Sequence, residues 1–324
     1  MPLERRQFLH LAASAAVLTT VSGNANENYP SRPARIIVGF AAGGGADLAG
    51  RLIAQWLSER LGQQFVVENR PGAGANIAMD SVAKAAPDGY TLLLVSPGAA
   101  INATLYEKLS YNFVRDFAPI SGFLRVPNVM VLNPSVPVKA VPDFVAYVKA
   151  NPGRVNMASA GSGSSVHVSG ELFKMMTGVD LTHVPYRGTG PMLSDLLGGQ
   201  VQVSFPDIGS SIEHVRSGKL HAIAVTTANR SEALPGIPTV SEFVSGYEAS
   251  NWWGIAAPKG TPAEIVGKLN SELNAAVADP KIKARFADLG GSSLAGSPAD
   301  FAKLIADETD KWAKVIRAAK IKPE

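Results

Sequence analysis

The 324-residue sequence contains no cysteine, which at once excludes disulfides, thiolate metal sites, a cysteine nucleophile and a lipid-modified cysteine anchor. Charge is also scarce, at 18% of residues, and the formal balance is only +3. So small a bias argues against nucleic acid or an anionic membrane as partner. No apolar run reaches the ~18 residues of a membrane span. The most glycine-rich turn, Gly43-Gly44-Gly45, matches neither G-x-x-x-x-G-K-[ST] nor G-x-G-x-x-G, and no lysine stands near it for a β-phosphate, so a nucleotide site is not expected. No cofactor is implied. What remains is a chain 46% hydrophobic, long enough for two domains of ordinary size and held by its core alone.

The N-terminus reads separately. Glu4-Arg5-Arg6-Gln7-Phe8-Leu9-His10 precedes a weakly hydrophobic, Ala-rich run from Leu11 to Val21. Paired arginines before a charge-free run of that length are the mark of a secretory signal with a twin-arginine flavour, and Gly23 and Ala25 allow cleavage after Ala25. Residues 1–25 are therefore expected to be a signal peptide and the mature chain to be periplasmic.

The stretch from Arg35 to Leu61 sets the pattern for the rest. Ile36-Ile37-Val38 is a short β-branched run suited to a strand buried on both faces. Leu48, Leu52, Ile53, Trp56, Leu57 and Leu61 follow at helical spacing, with Asp47 where an N-cap belongs and Gly62 as the stop. Glycines 43–45 between them let backbone N–H groups approach a ligand at the positive end of a helix, which suits an anion. A tight strand-to-helix turn without a ligand is the alternative. Strands at Phe65–Val67 and Thr91–Val95, with a helix through Ile77, Met79 and Val82, complete a parallel βαβαβ unit. An extended segment from Phe123 to Leu132 leads into a second α/β series. Its strands are Val155–Ser159, Leu181–Val184, Val201–Phe205 and Leu220–Val225, with helices from Val166 and Pro191 and from Ile212 to Arg216. Helices from Thr261 to the C-terminus return to cover the first series.

Each chemical candidate has a bland reading beside the functional one. Gly161-Ser162-Gly163-Ser164-Ser165 does not match G-x-S-x-G, and Ser164 reads as a helix N-cap. His167 and Glu171, four residues apart on one helix, suit a metal or an acid–base pair, but no third ligand has recognisable spacing and H-E-x-x-H is absent. Arg187, between turn residues, suits a carboxylate or bare solvent. Trp252-Trp253 suits a binding platform or, more simply, core packing.

The residues then resemble one family along nearly the whole mature chain. The matches run from Tyr29-Pro30-Ser31-Arg32-Pro33 and the Ala42-Gly43-Gly44 turn with Asp47 through Val67-Glu68-Asn69-Arg70-Pro71-Gly72-Ala73-Gly74 and Asp88-Gly89-Tyr90-Thr91. They continue with Asp116-Phe117-Ala118-Pro119, His183-Val184-Pro185-Tyr186, Gly198-Gly199-Gln200-Val201 and Leu234-Pro235-Gly236-Ile237-Pro238. The chain resembles the Bug family, the periplasmic solute receptors of tripartite tricarboxylate transporters. The resemblance implies a type II periplasmic-binding-protein fold: two α/β domains, 26–125 with 227–324 and 126–226, closing on one small carboxylate. It implies a monomer that delivers its ligand to membrane permease subunits and does no catalysis. The ligand-binding roles map onto Gly43, Gly44, Gly45, Ala46 and Asp47 with Ser96 on one domain. On the other they map onto Ser159, Ala160, Gly161, Ser164, Ser165, His167, Tyr186 and Asp207. Two readings from other classes stay open: a receptor feeding a sensor kinase, and an exported hydrolase or isomerase using His167 and Glu171.

The chain departs from the family in two places. Gly45 and Ala46 stand where Ser or Thr is common before the Asp, which removes side-chain hydroxyls and leaves backbone donors. Phe205-Pro206-Asp207 stands where Phe-Asp-Asn is usual. Asp207 then either faces a donor group of the ligand or turns away to cap the following helix.

Overall fold

The computed structural model describes residues 29–323, so the expected signal peptide lies outside the described residues. The chain opens with β1 (Ala34–Val38), α1 (Gly45–Leu61), β2 (Phe65–Asn69), α2 (Asn76–Ala83) and β3 (Thr91–Val95). Both β2 and β3 pair parallel to β1, as the βαβ spacing requires. α1 lies close on this sheet because its inner face is small: Ala49, Gly50 and Ala54 are buried beside Ile53 and Leu57, whereas Leu48 is exposed. A methyl on Gly50 would stand 3.0 Å from Leu94. The helix stops as expected at Gly62, in the left-handed conformation with its N–H on the Ser58 carbonyl.

The next segment departs from the sequence expectation. α3 (Gly98–Leu105) and α4 (Phe113–Asp116) were not expected, and β4 (Phe117–Pro127) begins well before Phe123. β5 (Val129–Leu132) then starts a second sheet, followed by α5 (Val141–Ala150), β6 (Asn156–Ser159), α6 (Ser165–Thr177) and β7 (Thr182–Pro185). After them come α7 (Thr189–Leu197), β8 (Val203–Ser204), α8 (Ile208–Arg216) and β9 (His221–Val225). β8 is only two residues long, shorter than the expected Val201–Phe205 strand, and α8 starts four residues before Ile212 because Asp207 caps it. The chain returns through β10 (Ser250–Pro258), α9 (Ala263–Ala278), α10 (Pro280–Asp288), β11 (Ser292–Ser293) and α11 (Pro298–Ala319). β11 was not expected; it adds an edge to β4.

Two sheets result, ordered β11-β4-β10-β3-β1-β2 and β7-β6-β8-β5-β9. In both, parallel strands meet antiparallel ones: β10 runs against β3 and β4, and β5 against β8 and β9. The two crossings between sheets lie side by side. Asn128 donates its N–H to Thr226 Oγ1 at 3.0 Å, Thr226 N–H donates to the Asn128 carbonyl at 2.9 Å, and Thr226 Oγ1 donates to the Ala249 carbonyl at 2.8 Å. All three residues are buried or nearly so, and this small knot is where the two halves join.

Candidate functional site

Parallel strands carry their helix N-termini to one edge of each sheet, and the two edges face each other. A cavity of about 30 Å³ lies between them, lined by Phe40, Gly44, Ala46, Ser96, Pro97, Ala160, Ser164, Ser165, Val166, Thr189, Asp207, Asn251 and Trp253. Five helices begin there: α1 at Gly45, α3 after Pro97, α6 after Ser164, α7 at Thr189 and α8 after Asp207. No side chain caps α1, α3 or α7. Each helix start brings unsatisfied N–H groups and about half a positive charge, while no lysine or arginine lines the cavity. The site is built for an anion held by backbone. It has room for about two waters as it stands, so anything larger enters only if the walls part. An outer pocket of about 190 Å³ adjoins it, sharing Phe40 and Ala160 and bounded by Gly72–Ala75, Gly161, Tyr186 and Arg187.

Of the residues singled out from sequence, Gly44, Ala46, Ser96, Ala160, Ser164, Ser165 and Asp207 line the inner cavity, and Gly161 and Tyr186 the outer one. Gly45 packs against Asp207. The others stand behind the walls. Asp47 is not the cap of α1, which begins after Gly44; it lies inside the first turn. Its carboxylate accepts from Gly43 N at 3.0 Å, Asn69 Nδ2 at 3.0 Å and Arg51 Nε at 3.0 Å. These bonds hold its acidity strong against the burial that opposes it and fix the glycine turn in place. Ser159 Oγ lies 2.6 Å from His183 Nε2 and accepts from Gly161 N. Tyr186 donates to Asp195 at 2.8 Å.

His167 braces the 161–165 turn from behind, accepting from Gly163 N through Nδ1 at 3.2 Å. Its ring stacks on His183 with centroids 3.9 Å apart, and Glu171, 3.9 Å from its other nitrogen, is engaged by Lys174 at 2.9 Å. Neither His167 nor Glu171 lines the cavity. Burial, first, then the neighbouring His183 and Lys174 push the His167 pKa well down, and burial with Lys174 lowers His183 to about 4. An unfolded histidine takes its proton near 6.5. Between that pH and about 4 the unfolded chain binds more protons than the folded one, so stability is full above the window and is lost as pH falls through it. The urea midpoint is therefore expected to drop between pH 7 and pH 5; an unchanged midpoint would contradict the neutral stacked pair.

Asp207 is 2% exposed. Its Oδ1 accepts from Ser210 N at 2.9 Å and so caps α8, while the carboxylate lies flat against Gly45. A Cβ on Gly45 would stand 2.5 Å from Oδ1 and 2.8 Å from Cγ and Oδ2. Burial pushes its pKa up, against the bonds at Ser210 that lower it. A second close approach between the halves lies at the outer pocket. Asn102 donates to the Gly74 carbonyl at 2.8 Å, and a Cβ on Gly74 would meet the Ser162 carbonyl oxygen at 2.0 Å.

Sequence reasoning missed Phe40, Val166, Thr189 and Asn251, and weighed Trp253 as a binding platform or as core. Thr189 was within reach, as the first residue after a glycine turn that follows a strand. Trp253 is both: 1% exposed, packed in the first half, with one edge on the cavity.

Comparison with known proteins agrees with this geometry. Residues 49–321 match the model of the tripartite tricarboxylate transporter family receptor. The chain is 39% identical over 317 residues to protein BugT of Bordetella pertussis, covering 96% of each chain. It superposes on Rpa4515 of R. palustris solved with adipate at a TM-score of 0.89, with 38% identity over 91% of this chain and 100% of that one. It also superposes on the periplasmic binding protein BugD at 0.87, with 35% identity over 91% and 100%. With two α/β halves around a cleft floored by helix N-termini, and with this similarity along its length, the chain belongs to the tripartite tricarboxylate transporter receptor family, the Bug-type periplasmic solute-binding receptors.

Proposed function

We propose that this receptor captures a small organic carboxylate in the cleft and, as a monomer, delivers it to the permease subunits of a tripartite transporter. The convergence of five helix N-termini on a cavity without lysine or arginine carries the reading, because such a site stabilises a carboxylate through backbone N–H groups and neutral side-chain donors rather than a cation. A relative that holds adipate supports the ligand class. Gly43–Asp47 and Ser96 form the binding surface of one domain (26–125 with 227–324) and residues 159–165, His167, Tyr186 and Asp207 that of the other (126–226), with Asp47, Ser159 and His167 acting as supports. The domains hinge near Leu124–Pro127 and Val225–Ala228. Residues 1–25 are the export signal, and the mass of protein recovered from the periplasm tests the cleavage after Ala25. The reading itself is tested by a thermal-shift screen of mono-, di- and tricarboxylates: a ligand at 100 times its Kd adds about 2.7 kcal/mol of stability. If no carboxylate at millimolar concentration raises the melting temperature, the reading fails.

A further inference from the structure

Asp207 places a carboxyl group inside a site built for anions. It is buried at the mouth of α8, and its carboxylate faces the uncapped start of α1 at Gly45 while also lining the cavity. The hydrogen bonds it accepts come from Ser210 and its own backbone, and among the described residues no ion pair involves it. A buried carboxylate with no cation beside it is unfavourable unless something brings it a proton or a donor, and burial accordingly raises its pKa. The chain thus supplies its own carboxylate to the α1 end of the cleft. The starts of α3, α6 and α7 remain for the ligand.

Resting on the receptor reading above, we infer that Asp207 sets the selectivity of the cleft: the ligand carries one carboxylate, held at the α3, α6 and α7 N-termini, and presents a hydrogen-bond donor, best an ammonium, to Asp207. A plain dicarboxylate is disfavoured, since its second carboxylate is driven against Asp207, which has no cation beside it among the described residues. The opposite wall leaves little room for the pair to separate, because even a methyl added to Gly45 would stand within 2.8 Å of Oδ1 and Oδ2.

The experiment is a calorimetric titration of linear diacids from malonate to adipate, each paired with the ω-amino acid of the same chain length, against the full mature protein and Asp207→Asn. Asparagine caps a helix as well as aspartate does, so α8 and the fold are expected to persist, and a melting curve verifies it. For the pair that fits the cleft, the wild-type protein is expected to bind the amino acid roughly 100-fold tighter than the diacid. In Asp207→Asn the amino acid weakens and the diacid tightens. Equal preference in the two proteins makes Asp207 only the cap of α8 and overturns the inference. So does tight binding of a diacid to wild type with uptake of a proton, read from titrations in buffers of different ionisation enthalpy, for then a neutral Asp207 serves as donor. Failure of both folded proteins to bind any member of the panel overturns this inference, whereas the carboxylate reading itself fails only if the wider screen of mono-, di- and tricarboxylates is also silent.

Discussion

Replacing Gly74 with alanine is expected to leave a folded receptor that no longer holds its ligand. Gly74 has φ of +60°, and an alanine there costs about 1 kcal/mol of stability. The larger effect lies across the cleft. The added methyl would stand 2.0 Å from the Ser162 carbonyl oxygen, and that carbonyl has nowhere to go. Its turn is pinned by Ser164 N on the Gly161 carbonyl at 3.0 Å and by Gly163 N on His167 at 3.2 Å. The halves must therefore stay apart by more than an ångström at this point, and the closed form becomes rare. Since apparent affinity falls in proportion to the closed fraction, the loss is on the order of 100-fold or more. Gly62→Ala is the matched control: it carries the same left-handed backbone penalty at φ +72° with nothing within 4 Å of the new methyl. Calorimetry with the ligand from the carboxylate screen, beside small-angle scattering, gives the answer. Wild-type affinity and ligand-induced compaction in Gly74→Ala would show that the two turns do not need to meet.

The largest loss of stability is expected at Trp312. α11 starts on the first half, where Phe301 and Ile305 pack with Trp252 and Phe117, and ends with Trp312, Val315 and Ile316 in the core of the second. Trp312 is fully buried and donates its indole N–H to Glu308 at 2.8 Å; Trp252 reaches the same oxygen at 3.4 Å. Truncation to alanine removes the ring contacts and leaves a buried carboxylate short of a donor, for a loss of about 3–5 kcal/mol. Trp312→Phe keeps most of the packing and isolates the loss of the hydrogen bond at about 1–3 kcal/mol. Denaturant unfolding measures both. A loss under about 1 kcal/mol for alanine would mean that the end of α11 contributes little to the join between halves.

Much of this molecule follows from local chemistry, and that part was legible. β1, β2 and β3 with α1 and α2 follow from β-branched runs, helical spacing and glycine stops, all set between Ala34 and Val95. Asp207 as the cap of α8 and Ser164 as the cap of α6 were likewise readable, because a cap is a bond to a backbone N–H three residues away. The convergence of turn residues on one edge follows from parallel βαβ order, and so did the candidate positions at 43–47 and 159–165.

Other features depend on partners far along the chain. α3 lacks a polar face because Ala100, Ile101 and Leu105 pack into the core of the second half while Ala99 faces the first, so no amphipathic period marks it. β4 carries Pro119 and register shifts, and is a strand because β10, some 130 residues later, pairs along its length. Asp47 sits where a cap belongs by spacing, yet Asn69 and Arg51 take its carboxylate and the cap position falls to Gly44. His167 is four residues from an acid, yet stacking on His183 and bonding to Gly163 turn it into a brace. Asp207 was readable as a cap or as a cleft residue, and the tertiary structure makes it both: the cap is a local bond, whereas its place against Gly45, far away in sequence, exists only because two sheets bring their helix N-termini edge to edge.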